Sequence, residues 1–133
     1  MAVKPAAEHV AGQCDTALTR AFEFLGKRWN GVILGTLAEG PAGFSAIGRS
    51  IAGISDTMLS RRLAELVETG LVRRIVEEGP PVSVTYALSQ TGEALIPALH
   101  EVTRWADANL TAAGKATGRP ARAGRTSRRA ARA

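Results

Sequence analysis

Residues 44–70 read FSAIGRSIAGISDTMLSRRLAELVETG, and this stretch decides the fold. Ala52–Gly53 forms a tight turn between two helical patterns. The second pattern has the strongest helix signals in the chain, because Ser55 is a favourable N-cap and Gly70 stands where a glycine cap ends a helix. The sequence therefore predicts a short helix, a glycine turn and a well-capped longer helix.

Apolar periodicity supports both predicted helices. The short helix is expected to run from Ala42 or Phe44 to Ile51. In the longer helix, four apolar residues recur at helical spacing and form one stripe for burial. They are Leu59, Leu63, Leu66 and Val67. Ile54, just before this helix, is expected to pack on Leu59 as a hydrophobic staple.

Two helical patterns precede this stretch. The first extends from Ala17 to Leu25 and is ended by Gly26. The second contains Trp29 and Leu37, and its apolar residues lie on almost every side. This distribution predicts that the second helix is the most buried helix of the protein.

A hairpin and a last helix follow the decisive stretch. Residues 71–76 and 82–88 read as strands, and the sequence EEGPP between them reads as a turn. Ser89 begins a long helix that Pro97 is expected to kink unless the proline lies in the first turns. The order helix, helix, helix–turn–helix, hairpin, helix is that of a winged helix-turn-helix. We therefore predict an α+β fold, mostly α, with a two-stranded wing.

The exposed face of the longer helix suits contacts to DNA bases. A rotation of about 100° per residue places Thr57 and Arg61 opposite the apolar stripe. Short polar groups and one fork-shaped guanidinium near the start of a helix match base edges in a major groove. The residues expected to contact bases are Asp56, Thr57, Ser60 and Arg61.

Phosphate contacts need cations or hydroxyl groups near this helix. The candidates on the two helices are Ser45, Arg49 and Arg62, and those on the wing are Arg73, Arg74 and Ser83. Arg73 and Arg74 are neighbours on a strand and point to opposite faces, so at most one of them faces DNA. Glu77 and Glu78 at the wing tip repel phosphate, so the wing is expected to contribute little.

The net charge of +5 comes from the end of the chain. Residues 114–133 hold seven basic and no acidic residues, whereas residues 1–113 hold ten basic and twelve acidic residues. We expect a flexible N-terminal arm (1–13), a DNA-binding and dimerisation domain (14–112) and a disordered basic tail (113–133), because the tail lacks large apolar residues. The tail either adds salt-sensitive affinity for DNA or is an uninvolved solubilising extension.

Several runs of sequence resemble the HxlR family, which is related to MarR-type regulators. They are Gly26-Lys27-Arg28-Trp29, Gly53-Ile54-Ser55, Met58-Leu59-Ser60-Arg61-Arg62-Leu63 and Tyr86-Ala87-Leu88-Ser89. The resemblance covers residues 13–110 and implies a bacterial homodimeric transcription factor. It also implies that the helix after Gly53 is the recognition helix and that the first and last helices form the dimer interface. We assign this interface to Leu18, Phe22, Leu99, Val102 and Trp105.

Cys14 has two interpretations that stay open. Members of the family sense electrophiles or oxidants through a cysteine near the start of the first helix, and Cys14 matches that position. A helix N-terminus favours the reactive thiolate, whereas Asp15 beside it works in the opposite direction. The second interpretation is a small capping or packing residue. Because Cys14 is the only cysteine, an internal disulfide and a cysteine-rich zinc site are excluded.

We therefore predict a sequence-specific transcriptional regulator, expected to be a repressor, that binds a pseudo-palindromic operator in double-stranded DNA as a homodimer. An oxidant or small-molecule effector is an open addition to this function. Two other classes stay open: a winged-helix module for protein–protein contacts, and a small-molecule sensor whose DNA binding is secondary.

Several classes are not expected. The sequence lacks a nucleotide-binding glycine loop, a nucleophile motif and metal-ligand spacing, so we predict no enzyme, no cofactor and no metal. It also lacks a recognisable secretory signal or membrane-spanning run. We therefore expect a cytoplasmic, nucleoid-associated protein with no membrane partner.

Overall fold

The computed structural model describes residues 16–118. In chain order, their elements are α1 (Thr16–Leu25), α2 (Asn30–Leu37), α3 (Phe44–Ser50), α4 (Asp56–Glu68), β1 (Val72–Glu77), β2 (Ser83–Leu88) and α5 (Gln90–Asn109). The strands form one two-stranded antiparallel sheet. The predicted winged helix-turn-helix is thus confirmed. Two compact units divide the chain, the first extending to Ile96 and the second beginning at Pro97.

The core of the first unit is aliphatic. Its fully buried large apolar side chains come from α2, α3 and α4, and they are Ile33, Leu34, Ile47, Leu59, Leu63 and Leu66. The predicted apolar stripe of α4 is therefore the face that packs inward, with Val67 half-buried at its end. Removal of this apolar surface from water is the main free-energy contribution that holds the helices together.

The structure of α2 differs from the sequence pattern at two points. Trp29 precedes the helix and has a left-handed backbone with φ of 86°, which is a rare conformation for a bulky residue. Val32 is 53% exposed although it continues the apolar run. The prediction that α2 is the most buried helix is confirmed among the described helices, because four of its eight residues are buried. The side-chain amide of Asn30 donates a hydrogen bond to the Phe24 carbonyl oxygen at 2.8 Å, which ties the start of α2 to α1.

Both ends of α4 are capped as the sequence predicts. The Ser55 hydroxyl oxygen accepts a hydrogen bond from the backbone N–H of Met58, at an N–O distance of 3.1 Å. At the other end, Gly70 has φ of 88°. The backbone N–H of Leu71 then donates to the Leu66 carbonyl oxygen at 3.0 Å, which is the hydrogen bond of a Schellman cap.

The base of the wing is joined to the segment before α3. Val72 of β1 pairs with Leu88 of β2, which sets the register of the hairpin. Ala42 and Tyr86 exchange two backbone hydrogen bonds of 2.9 and 2.8 Å. Ala42 therefore belongs to this bridge, and of the two predicted starts of the short helix the structure has Phe44.

The last helix begins with a shared hydroxyl group. The Ser89 hydroxyl accepts a hydrogen bond from the backbone N–H of Gly92 at 3.1 Å and donates one to the Gly70 carbonyl oxygen at 2.6 Å. Downstream, α5 continues past Pro97 to Asn109, so the proline does not end the helix.

A hydrogen-bonded turn follows α5. The N–H of Thr111 donates to the Lys115 carbonyl oxygen at 2.7 Å, and the N–H of Thr117 donates to the Asn109 carbonyl oxygen at 2.9 Å. Residues 113–117, which the sequence assigned to a disordered tail, thus form part of this turn. The remainder of the tail lies outside the described residues.

Candidate DNA-binding surface

The first two turns of α4 present a polar face to solvent. The four predicted base-contacting residues are all exposed, and they are Asp56, Thr57, Ser60 and Arg61. Leu59 and Leu63, on the same stretch of helix, are buried in the core. The structure therefore brings all four residues together on the side of α4 that faces away from the core.

This polar face combines donors and acceptors over a short distance. The Arg61 guanidinium has paired N–H donors that match the two acceptors on the major-groove edge of guanine. The hydroxyl groups of Thr57 and Ser60 donate or accept, and the Asp56 carboxylate accepts. The face is therefore chemically able to discriminate between bases.

α3 packs closely on α4 and carries two predicted phosphate contacts. A Cβ atom added at Gly48 would lie only 3.5 Å from Leu59 Cδ2, so the two helices approach each other closely there. Ser45 and Arg49 are exposed, and Arg49 lies in the last turn of α3. The close contact fixes the position of Arg49 relative to the polar face of α4.

The predicted wing contacts are exposed as well. Arg73 and Arg74 of β1 are both exposed and, as neighbours on a strand, point to opposite faces of the sheet. Ser83 is exposed and pairs with Glu77 near the tip. A phosphate at the Ser83 hydroxyl would therefore lie close to an acidic side chain.

Arg62 differs from the other predicted phosphate contacts because its side chain is only 15% exposed. Its Nε donates a hydrogen bond to the Arg28 carbonyl oxygen at 3.0 Å, and its Nη1 donates to Glu65 Oε1 at 3.1 Å. Lys27 Nζ lies 3.5 Å from the same carboxylate oxygen. Arg62 is thus bonded inside the protein, whereas the other predicted DNA contacts face solvent.

Sequence reasoning missed this contact between α4 and the α1–α2 linker (residues 26–29). Arg62 and Glu65 stand three residues apart, which is the spacing of an ion pair on one helix, and this was the available local signal. The bond from Arg62 to Arg28 and the ion pair between Glu65 and Lys27 join segments that are distant in the chain, so no local sequence pattern predicts them.

The residues assigned to a dimer interface lie on α1 and α5. Leu18 and Phe22 of α1 are exposed, as are Val102 and Trp105 of α5. Leu99 is half-buried. Each helix therefore leaves large apolar side chains in contact with water, which is a feature of surfaces that bind another protein.

Cys14 and the arginines from Arg119 onward lie outside the described residues. Lys115, the first cation of the predicted tail, is exposed in the turn after α5. Within residues 16–118, none of the helices has both the length and the apolar composition that crossing a bilayer requires. The same residues contain no group of three or more histidine, cysteine, aspartate or glutamate side chains arranged to hold a metal ion.

Known proteins are similar to this chain in sequence and in fold. The HTH-type transcriptional regulator YodB of Bacillus subtilis (strain 168) is 45% identical over 87 residues, which are 65% of this chain and 78% of YodB. The structure of the reduced form of YodB from B. subtilis has 42% identity and a TM-score of 0.64, over 71% of this chain and 92% of that chain. The redox regulator HypR in its oxidized form has 26% identity and a TM-score of 0.67, over 71% and 98% of the two chains.

A family model also matches the region that forms the candidate surface. The model of the HxlR-like helix-turn-helix family matches residues 24–113, which include α2, α3, α4 and the wing. This match confirms the resemblance seen in the sequence. The chain therefore belongs to the HxlR-like helix-turn-helix family and is a DNA-binding transcriptional regulator.

Proposed function

We propose that this regulator binds a pseudo-palindromic operator in double-stranded DNA as a homodimer and represses transcription there. The observation that carries the proposal is the polar face of α4, which is exposed while the opposite face is anchored by buried leucines. A recognition helix places its N-terminal residues against base edges in the major groove. In this binding mode Arg61 pairs with a guanine, and Asp56, Thr57 and Ser60 contact neighbouring bases.

Exposed side chains around α4 supply the contacts to phosphate. Arg49 at the end of α3 and either Arg73 or Arg74 of β1 contribute the charges. Ser45 and Ser83 add hydroxyl groups. These contacts fix the register of the protein on the duplex and carry no sequence information themselves.

The homodimer is supported by the exposed apolar side chains of α1 and α5. A two-fold interface uses the same surface on both subunits. It presents two recognition helices to half-sites about 34–36 Å apart, which is one turn of DNA. A regulator that works in this way acts in the cytoplasm, at the nucleoid.

Selection of bound DNA from a random pool, followed by gel-shift titration of Arg61→Ala, tests the proposal. The expected result is an enriched inverted repeat. Arg61→Ala is expected to weaken operator binding by about 1–3 kcal/mol and to relax base preference at one position in each half-site. Lys115→Ala, which removes an exposed cation from the turn after α5, is the control and should leave base preference unchanged.

Two results would count against this proposal. A pool that yields no consensus would show that the protein does not read sequence. An Arg61→Ala variant that binds every sequence more weakly by the same factor would make Arg61 a phosphate contact.

We further propose that an oxidant controls DNA binding through Cys14. The description of HypR as a redox regulator favours this function. Because the chain has one cysteine, a disulfide within the proposed dimer joins the two Cys14 thiols of the two subunits. The two sulfur atoms give up two electrons and two protons to the oxidant, for which diamide is the probe.

Gel shifts with and without diamide, on wild type and Cys14→Ser, test this second proposal. Wild-type DNA binding is expected to change on oxidation, together with a covalent dimer on a non-reducing gel. Cys14→Ser should show neither effect. An identical response of the two proteins would refute the role of Cys14.

A further inference from the structure

We infer that Arg62 and Glu65 are positioning residues, which fasten the α1–α2 linker to α4 and thereby set the direction of Arg61, and that Arg62 contacts no phosphate. The inference rests on the proposed function, because it takes α4 as the helix that enters the major groove. It assigns to Arg62 a role different from the one that its sequence suggested.

Arg62 is already committed to two acceptors within the protein. Its Nε and Nη1 point at the Arg28 carbonyl oxygen and the Glu65 carboxylate, at 3.0 and 3.1 Å. These bonds use two of the five N–H donors of the guanidinium, and with only 15% of the side chain exposed, the remaining donors present little surface to a phosphate. Hydrogen bonds of a charged donor to a fixed carbonyl and a carboxylate are among the stronger ones in proteins.

Glu65 joins two cations from different parts of the chain. Its Oε1 lies 3.5 Å from Lys27 Nζ and 3.1 Å from Arg62 Nη1. Lys27 belongs to the α1–α2 linker and Arg62 to α4. If α4 rotated about its axis, Glu65 would lose Lys27 and Arg62 would lose the Arg28 carbonyl at the same time. The two contacts therefore resist this rotation.

This restraint acts directly on the base-reading face. Arg61 and Arg62 are consecutive residues of one helix, so their side chains leave the axis about 100° apart. With Arg62 held by the linker, the direction of Arg61 is set as well. Base contacts demand this precision of orientation, whereas phosphate contacts position the protein without reading sequence.

The linker makes a second contact with the helix–turn–helix motif, through the indole of Trp29. Within the linker, the Arg28 guanidinium lies 4.5 Å from the centroid of that indole ring, which is a cation–π contact. A Cβ atom at Gly53 would lie 3.7 Å from Trp29 Cη2, so the indole lies against the turn between α3 and α4. The linker thus holds the motif both at its turn and at the middle of α4.

The test measures the affinity of folded protein for its selected operator and for unrelated DNA over a series of salt concentrations. Arg62→Gln and Glu65→Gln each remove one partner, and the double variant removes both. Glu68→Gln is the matched control, because Glu68 is exposed on the same helix and the substitution removes the same charge. Circular dichroism at the assay temperature verifies that each variant is folded.

Arg62→Gln and Glu65→Gln are each expected to lower the ratio of the affinity for the operator to the affinity for unrelated DNA by about two- to thirtyfold. Glu68→Gln is expected to leave this ratio unchanged. The double variant should show a smaller decrease than the product of the two single decreases, because the contact between Arg62 and Glu65 is lost in both single variants. The slope of log affinity against log salt should stay at the wild-type value in Arg62→Gln.

Arg62→Lys is a second variant for the same test, and it replaces Arg62→Gln if that variant fails to fold. It keeps the charge, and with it any phosphate contact, but a lysine ammonium does not reproduce the two bonds of the guanidinium. The ratio of operator to unrelated affinity is expected to fall in this variant too. A ratio that stays at the wild-type value would overturn the inference.

The salt series also separates a failed inference from a failed proposed function. A salt slope that is smaller by about 0.9 in Arg62→Gln than in wild type would show that Arg62 neutralises a phosphate, and the inference would be wrong. Arg61→Ala, measured beside it, reports on the proposed function. If Arg61→Ala left base preference intact, Arg61 would not read a base, and that part of the proposed function would fail whatever the Arg62 variants showed.

Discussion

Replacing Gly92 by alanine is expected to destabilise the protein, although alanine is the better helix former. Gly92 lies in the first turn of α5, where that turn approaches the start of the hairpin. An added Cβ atom would lie 2.2 Å from the Leu71 carbonyl oxygen and 3.3 Å from Leu88 Cδ2. The carbonyl cannot retreat freely, because it accepts a hydrogen bond from the Ser89 N–H at 2.9 Å.

Stabilising and destabilising contributions together set the change in the free energy of unfolding on Gly92→Ala. Alanine in place of glycine within a helix stabilises by about 0.5–1 kcal/mol. Relief of an overpacked contact costs about 1–3 kcal/mol. Shifting the turn also weakens the Ser89 hydrogen bonds to Leu71 and Gly70, at about 0.5–1.5 kcal/mol each. The expected net result is a loss of about 2–4 kcal/mol in the free energy of unfolding.

Urea unfolding measures this loss at one fixed protein concentration, because the stability of the proposed dimer depends on concentration. Gly35→Ala is the matched control. Gly35 lies inside α2, and a Cβ atom there would meet no described atom within 4 Å. This control should gain about 0.5–1 kcal/mol. A Gly92→Ala variant as stable as wild type would refute the reasoning from the close approach to Leu71.

Three further changes test other parts of the structure. Ser55→Ala removes the N-cap of α4 and should lower the free energy of unfolding by about 1 kcal/mol, whereas Ser60→Ala on the same helix should have little effect. Truncation after Gly118 removes six arginines and should flatten the salt dependence of DNA affinity without changing the preferred operator; an unchanged slope would contradict a role in binding. Trp105→Glu should shift the proposed dimer toward monomer in sedimentation velocity and weaken operator binding, and an undiminished dimer would remove Trp105 from the interface.

Much of α4 follows from the sequence because its signals are local. The cap at Ser55, the spacing of the buried leucines and the glycine at position 70 all lie within the helix or next to it. The same locality explains why the exposed positions Thr57 and Arg61 were placed on the correct side. A period of about 3.6 residues fixes the exposed face once the buried face is known.

Other features depend on contacts between distant segments and left no local pattern. Trp29 continues the apolar run of α2 in sequence, but its backbone turns left-handed where the linker meets the motif. Ala42 looks like part of α3, but its hydrogen bonds go to Tyr86. Arg62 reads as a surface cation, and its burial is decided by the Arg28 carbonyl, which lies 34 positions away in the chain.

The bridge between Ala42 and Tyr86 consists of main-chain atoms alone. Any residue except proline supplies the N–H group that position 42 needs, so this joint places almost no demand on side-chain identity. The exposed residues on the polar face of α4, among them Thr57 and Arg61, are likewise free of any part in the core. The residues proposed to read DNA are therefore free to change while the frame that presents them stays the same.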